Sequence, residues 1–292
     1  MSWTAGFENI LRTAEPLASH TWLRLGGPAD YFAEPTTLDQ LTALVRRCRE
    51  ADVPMRLLGS GSNVLVRDAG VRGVVARLTA PAFAEVTFSG ETITAGGGAK
   101  LGQVITIAAR EGLAGLETLV GIPGTIGGAL HGNAGSRGGD IGQWTCQATV
   151  LTRSGELIER TRTELVFAFR QSSLDELAIV QARFELEPDN PDELTKRMQK
   201  QWIVKKAGQP LGHQHTGCIF KNPRGMSAGM LIEQSGLKGT RFGGAEVSDR
   251  HANFIVAEPG TTSGDVLALM ETVRDRVAQR LGIELETEIE IW

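Results

Sequence analysis

At 292 residues, with 41% hydrophobic and 22% charged side chains, the chain is long enough for a sizeable core spread over two or three domains. A net charge of -4 excludes a broad nucleic-acid footprint while leaving room for a local phosphate site. Three widely separated cysteines, Cys48, Cys146 and Cys218, are not a disulfide framework, and no apolar run has the length of a membrane span, so a cytoplasmic protein without membrane insertion is expected.

A Gly26-Gly27-Pro28 turn precedes a short strand centred on Tyr31 and Phe32. Thr37, three residues before Gln40, caps a helix that buries Leu38, Leu41, Leu44, Val45 and Cys48, which makes Cys48 a core residue. Pro54 restarts the chain into a strand over 55–58, the loop Gly59-Ser60-Gly61-Ser62-Asn63 follows, and a second apolar run covers 64–66. Next come a strand over 74–78, a hairpin of 83–88 with 91–95 closed at Ser89-Gly90, and a helix carrying Leu101, Val104, Ile105 and Ala108. Beyond a glycine-rich segment, 146–152 and 156–161 form a second hairpin, a short helix from Thr163 delivers Arg170, and 178–186 is a strand. Pro188-Asp189-Asn190-Pro191 is the clearest boundary, with Asn190 and Pro191 opening a helix that runs to about Lys206. A helix over 227–234, a strand over 253–256, a long amphipathic helix capped by Thr262 and stopped by Gly282, and a strictly alternating last strand, IELETEIEIW, complete the chain.

The segment 121–139, GIPGTIGGALHGNAGSRGG, holds eight glycines in nineteen residues. A flexible linker is polar throughout, whereas Ile122, Ile126, Ala129, Leu130 and Ile141 punctuate this stretch as in a packed segment. It therefore reads as an ordered cradle for an anion, with glycine giving backbone access that a Cβ would block. Neither Gly59-Ser60-Gly61 nor Gly96-Gly97-Gly98 completes G-x-G-x-x-G, and G-x-x-x-x-G-K-[ST] is absent, which excludes the dinucleotide fingerprint and the P-loop. Two loops, 59–63 and 121–128, remain, each able to present backbone amides to a pyrophosphate.

Taken in order, AEPTTLDQL, LGSGSNVLV, GIPGTIGGALHGNAG, FRQSS, GCIFKNP, LKGTRFGGAEVSDRHANFIV and ETEIEI resemble the UDP-N-acetylenolpyruvoylglucosamine reductase family from about Thr21 to Ile291. The resemblance implies an α+β protein: a two-subdomain FAD-binding fold of the PCMH and vanillyl-alcohol-oxidase type over 1–188, divided near 78, and a smaller substrate-binding domain over 191–292. It further implies non-covalent FAD, NADPH as reductant and UDP-N-acetylglucosamine enolpyruvate as substrate, in a monomer. Carried over by motif position, the FAD contacts are Gly59, Ser60, Gly61, Ser62 and Asn63, then Gly121, Ile122, Pro123, Gly124, Thr125, Gly127 and Gly128, with Asn133, Ala134 and Gly135 beside the flavin ring.

Reduction of an enolpyruvyl group by hydride delivery to C3 builds negative charge at C2 and on the carboxylate, so a cation, a proton donor and a supporting acid or base are required. The resemblance assigns these roles to Arg170, Cys218 and Glu288. Viewed alone, Arg170 has a surface ion pair as its plain alternative, and Phe169 beside it replaces a more usual tyrosine. Cys218 stands where most of the family has serine; a thiol of ordinary pKa ~8.5 remains a proton donor at neutral pH, and its plain alternative is a buried small hydrophobe. His213-x-His215-x-x-Cys218 offers three metal-ligand types, but no fourth lies nearby and no metal is expected. Alternation along the last strand leaves Glu284, Glu286, Glu288 and Glu290 on one face, so Glu286 and Glu290 stand in if the register slips. Asn222, Lys238 and His251 align with positions that bind the UDP-sugar, with Lys205 or Lys206 adding charge. No room exists before Arg170 for the substrate-covering tyrosine loop of one subgroup, which places the chain with the shorter one. Two other readings share these observations: an oxidase of the same fold acting on a small hydroxy acid or sugar, and a flavin- or UDP-sugar-binding module without catalysis.

Overall fold

The computed structural model describes residues 2–136, 138–210 and 214–292. The chain divides into two units, Met1–Ala14 with Asp30–Ser60 and Arg72–Ile203, and Glu15–Ala29 with Gly61–Val71 and Val204–Trp292. The local proline and asparagine signals at 188–191 mark the start of a helix, but two earlier stretches also join the second unit.

In the first unit, helix α1 (Leu38–Glu50) starts where the Gln40 amide donates to the Thr37 hydroxyl, and its apolar side chains Leu41, Leu44, Val45 and Cys48 are buried. It accompanies a four-stranded sheet ordered Leu11–Pro16, Pro28–Ala33, Val71–Ala76, Met55–Leu57, the last pair parallel with Met55 opposite Val74. A five-stranded antiparallel sheet is ordered Leu157–Thr161, Thr145–Leu151, Ala178–Glu185, Thr92–Gly96, Val86–Ser89. Helices α2 (Leu101–Arg110) and α3 (Ile126–His131) share a buried cluster with it, including Val104, Ile105, Ile126, Leu130, Val150 and Phe184. Helix α4 (Pro191–Gly208) begins on the Asn190 carboxamide, which accepts from the Asp192 and Glu193 amides.

The expected helix from Thr163 is not formed. Instead Phe167–Ala168 and Gln171–Ser172 pair antiparallel, with Phe169 and Arg170 as the turn between them. The Thr161 amide and hydroxyl both donate to Glu164, a motif that looks like a helix start but here closes a turn. The text after it, Leu165-Val166-Phe167-Ala168-Phe169, is an unbroken five-residue apolar run with a β-branched and two aromatic side chains, which favours a short extended segment over a helix. Leu165 is buried while Val166 and Phe169 face outward.

The second unit is built around α6 (Ser263–Leu281). Thr262 and Asp265 form a reciprocal capping box at its start, and Gly282 ends it at φ 69°, a left-handed position suited to glycine. Val266, Leu269, Met270, Val273 and Val277 are buried along one face, each such side chain worth about 1.5–3 kcal/mol relative to exposure. Helix α5 (Ala228–Gln234) and an antiparallel sheet of Arg241–Phe242, Ala245–Val247 and Ile255–Ala257 complete the core. The stretch from Gly61 is tied in at two points: Val64–Leu65 pairs in parallel with Glu290–Ile291, and the Asp68 carboxylate accepts from the Ser263 amide. The last ten residues are therefore not one strand. Glu286 and Glu288 hydrogen-bond to Lys221 and Ile219, and from Glu290 the partner becomes Asn63, so the segment divides its pairing between two neighbours.

Candidate functional site

The glycine-rich segment is ordered by hydrogen bonds at both ends. Gly121 and Gly124 take φ of 79° and 140°, values open to glycine. The Ile126 and Gly127 amides donate to Ala99 and Gly97 at 2.9 and 2.8 Å, Leu101 donates back to Gly124, and the Gly128 amide donates to the Thr125 hydroxyl that caps α3. The cradle is thus stitched to the loop 97–101, and those four amides are already engaged. Gly59 lies against it: a Cβ there would sit 2.9 Å from Thr125 Oγ1. Gly59 and Ser60 therefore pack on 121–128 within the first unit, and the glycines of the two stretches carry no Cβ to cover their backbone, which suits a long anionic cofactor such as FAD. Gly61, Ser62 and Asn63 belong to the second unit.

Past α3, Ala134 donates to Ala129, and Gly135–Ser136 pairs with Gly139–Asp140. Asn133 is buried at φ 41°, its Nδ2 donating to the Ala168 carbonyl at 2.8 Å and its Oδ1 accepting from the Gly142 amide at 3.1 Å. Arg170 sits in the two-residue turn at φ 56°, a left-handed conformation that costs a non-glycine residue about 1–2 kcal/mol. Its guanidinium lies 5.3 Å from the centre of the Phe169 ring.

In the second unit, Cys218 and Glu288 are brought together. The Glu288 amide donates to the Ile219 carbonyl at 2.8 Å, and Phe220 bridges Thr287. On the other side, Asn253 grips the same segment: its Oδ1 accepts from the Phe220 amide and its Nδ2 donates to the Phe220 carbonyl. Asn253 was not singled out from sequence; its one signal is a polar residue opening the apolar run Phe254-Ile255-Val256. Asn63 arrives from the first glycine loop, with Nδ2 donating to the Glu288 carbonyl at 3.2 Å and its own carbonyl accepting from Glu290. Glu284, Glu286 and Glu290 are exposed, whereas Glu288 is half-buried, as is Cys218. Glu286 is paired with Lys221.

Three of the residues expected to hold the UDP-sugar surround α5. Asn222 Oδ1 accepts from the Ala228 amide at 2.9 Å, Lys238 reaches Glu233 at 2.9 Å, and a Cβ on Gly229 would lie 3.5 Å from His251 Cε1. Burial pushes the His251 imidazole below its ordinary value of 6.5, and the positive charge of Lys238 acts in the same direction against a backbone hydrogen bond that opposes it. Lys206 is exposed in the last turn of α4, and among the described residues no hydrogen bond or ion pair joins it to this group. Half-buried Lys205 beside it has its ammonium pKa lowered by burial. His213 lies outside the described residues; His215 is buried with its ring edge-on to Trp22 at 5.5 Å. Among the described residues no three His, Cys, Asp or Glu side chains are placed to hold a metal, and no helix is long and apolar enough to cross a membrane.

The fold is that of an FAD-binding flavoprotein, and residues 29–161 match the family model of the FAD binding domain. Residues 209–292 match that of the C-terminal domain of UDP-N-acetylenolpyruvoylglucosamine reductase. UDP-N-acetylenolpyruvoylglucosamine reductase 2 of Symbiobacterium thermophilum is 44% identical over 97% of this chain and 92% of its own, and the Heliobacterium modesticaldum reductase 41% over 99% and 92%. The solved structure of the Thermus caldophilus reductase superposes with a TM-score of 0.82 at 37% identity, covering 97% of this chain and 98% of that one. The chain belongs to the UDP-N-acetylenolpyruvoylglucosamine reductase family of FAD-dependent oxidoreductases, which leaves the oxidase and the non-catalytic module without support.

Proposed function

We propose that the chain reduces the enolpyruvyl group of UDP-N-acetylglucosamine enolpyruvate with NADPH, giving UDP-N-acetylmuramate for peptidoglycan synthesis, and that it works as a cytoplasmic monomer. Bound FAD supplies the two-electron carrier chemistry between NADPH and the double bond. The cradle residues Gly59, Ser60 and 121–128 hold its pyrophosphate, and Gly61, Ser62, Asn63, Ala134 and Gly135 complete its surroundings. Arg170 pairs with the substrate carboxylate and takes up charge as it develops there. The Cys218 thiol delivers the proton to C2, leaving a thiolate that solvent reprotonates as product departs, and Glu288 supports the enol during that transfer. Asn222, Lys238 and His251 bind the UDP-sugar, with Lys206 adding charge.

The observation that carries this reading is the hydrogen bond from the Glu288 amide to the Ile219 carbonyl, which sets the proposed acid and its glutamate on adjoining stretches of chain. The short-subgroup reading has support in the composition: Tyr31, the only tyrosine, sits in the strand Pro28–Ala33 with its ring edge-on to Trp3 at 4.7 Å. No tyrosine is left to cover substrate. The test is NADPH oxidation by the flavin-loaded protein with and without UDP-N-acetylglucosamine enolpyruvate. Substrate-dependent turnover with UDP-N-acetylmuramate as product is expected; a yellow, NADPH-reducible protein that ignores the substrate refutes the assignment.

A further inference from the structure

The turn bearing Arg170 is fastened to the far end of the glycine cradle by a small set of polar contacts, all within the first unit. Ser172 Oγ donates to the His131 carbonyl at 2.9 Å, and His131 Nδ1 lies 3.0 Å from the Leu174 carbonyl. Between them Asn133 spans two elements, donating to Ala168 and accepting from Gly142. The Phe167 ring closes over Gly142 so tightly that a Cβ there would lie 2.3 Å from it. Asn133 is only 2% exposed. Both ends of its carboxamide are engaged by backbone, and it occupies the left-handed region, where asparagine is tolerated better than most residues.

From this geometry we infer that Asn133 is a positioning residue for Arg170, holding the 167–172 turn rather than contacting the flavin through its side chain. The inference rests on the role proposed above for Arg170. The physical argument is specific to the amide. Its Nδ2 is the only part of the side chain able to donate to the Ala168 carbonyl, two residues before Arg170, while Oδ1 anchors the other end on Gly142. Aspartate keeps the anchor but turns an acceptor toward the Ala168 carbonyl, so the two oxygens repel and the turn is released. Arg170, itself in a left-handed conformation, has no intrinsic preference for that geometry and depends on the hairpin being held.

The experiment compares Asn133→Asp, Asn133→Ala and Ser172→Ala in the flavin-loaded enzyme, following anaerobic flavin reduction by NADPH, flavin reoxidation by UDP-N-acetylglucosamine enolpyruvate, and amide hydrogen exchange. Flavin content and the NADPH half-reaction should stay within about twofold of wild type, while reoxidation slows roughly tenfold to a hundredfold, the loss expected when a charged group shifts by about an ångström. Exchange over 166–173 should rise in the same variants, and Asn133→Asp should add nothing in an Arg170→Ala background. Release of FAD, or an equal slowing of the NADPH half-reaction, overturns the inference by making Asn133 a flavin residue. Unchanged exchange and reoxidation in Asn133→Asp overturn it as well. If Arg170→Ala reoxidised at the wild-type rate, the role of Arg170 would fall separately, and the exchange over 166–173 would still decide whether Asn133 holds the turn.

Discussion

By the motif resemblance Cys218 stands where most of the family has serine, and the two groups differ mainly in acidity. A thiol with an ordinary pKa of ~8.5 gives up its proton far more readily than an alkyl hydroxyl, yet remains mostly protonated at neutral pH. The side chain is half-buried, on a segment held between Asn253 and Glu288. We therefore expect Cys218→Ser to retain turnover, whereas Cys218→Ala should still be reduced by NADPH but lose about 10²–10⁴-fold in the substrate half-reaction. Stopped-flow traces of the two half-reactions check this, and normal reoxidation in the alanine variant would remove Cys218 from the mechanism. At this scale the sequence was informative about residue types and poor about partners. Alternation alone left four glutamates equivalent on one face; burial separates Glu288 from the exposed Glu284, Glu286 and Glu290. Asn63 and Asn133 look alike as polar residues in glycine loops, yet in the fold each donates to a carbonyl at or near a proposed catalytic residue.

Elements whose signals are local were legible. Thr37, Ser227 and Thr262 all accept a hydrogen bond from the third helical amide, and Gly282 ends its helix in the left-handed conformation. Of these, α6 supplies the longest buried face of the second unit, so its capping box is where a surface substitution should be felt. Thr262→Ala removes the hydroxyl that accepts from Asp265 and disrupts the reciprocal bond, and should lower unfolding free energy by ~1 kcal/mol, whereas Thr262→Ser should be close to neutral. Urea titration of the three proteins measures this, and equal midpoints for alanine and wild type would mean that the cap contributes nothing. Elements whose form depends on partners were misread. The Glu164 contact imitated a helix start at 161–164, and the short apolar run rich in aromatic and β-branched residues that followed it was the stronger signal. The last strand alternates correctly, with Leu285 and Ile289 buried, yet its pairing is split between Ile219 and Lys221 on one side and Asn63 and Leu65 on the other, which no local pattern encodes.

Assignment of each stretch to a unit lies furthest from what a sequence pattern can specify. Asp68 and Ser263 are 195 positions apart, and their mutual hydrogen bonds, with the pairing of Val64–Leu65 and Glu290–Ile291, place 61–71 in the second unit. The proline-marked boundary near 188 is a local signal and carries no such information. This division yields a prediction about ligands. The glycine-rich cradle lies in the first unit and the group around α5 in the second, so the two ligands should protect different parts of the chain. A ligand that binds only the folded form at a hundredfold excess over its Kd stabilises by ~2.7 kcal/mol, and at about 2–4 °C per kcal/mol removal of FAD should lower the melting temperature by roughly 5–10 °C. Hydrogen exchange distinguishes where that stabilisation acts. FAD should slow exchange over 97–101 and 121–128, where the Ile126, Gly127 and Leu101 amides knit the cradle together. UDP-N-acetylglucosamine should slow it over 222–251, around Asn222, Lys238 and His251. FAD protection confined to 204–292 would place the cofactor elsewhere and detach the glycine-rich segment from the chemistry altogether.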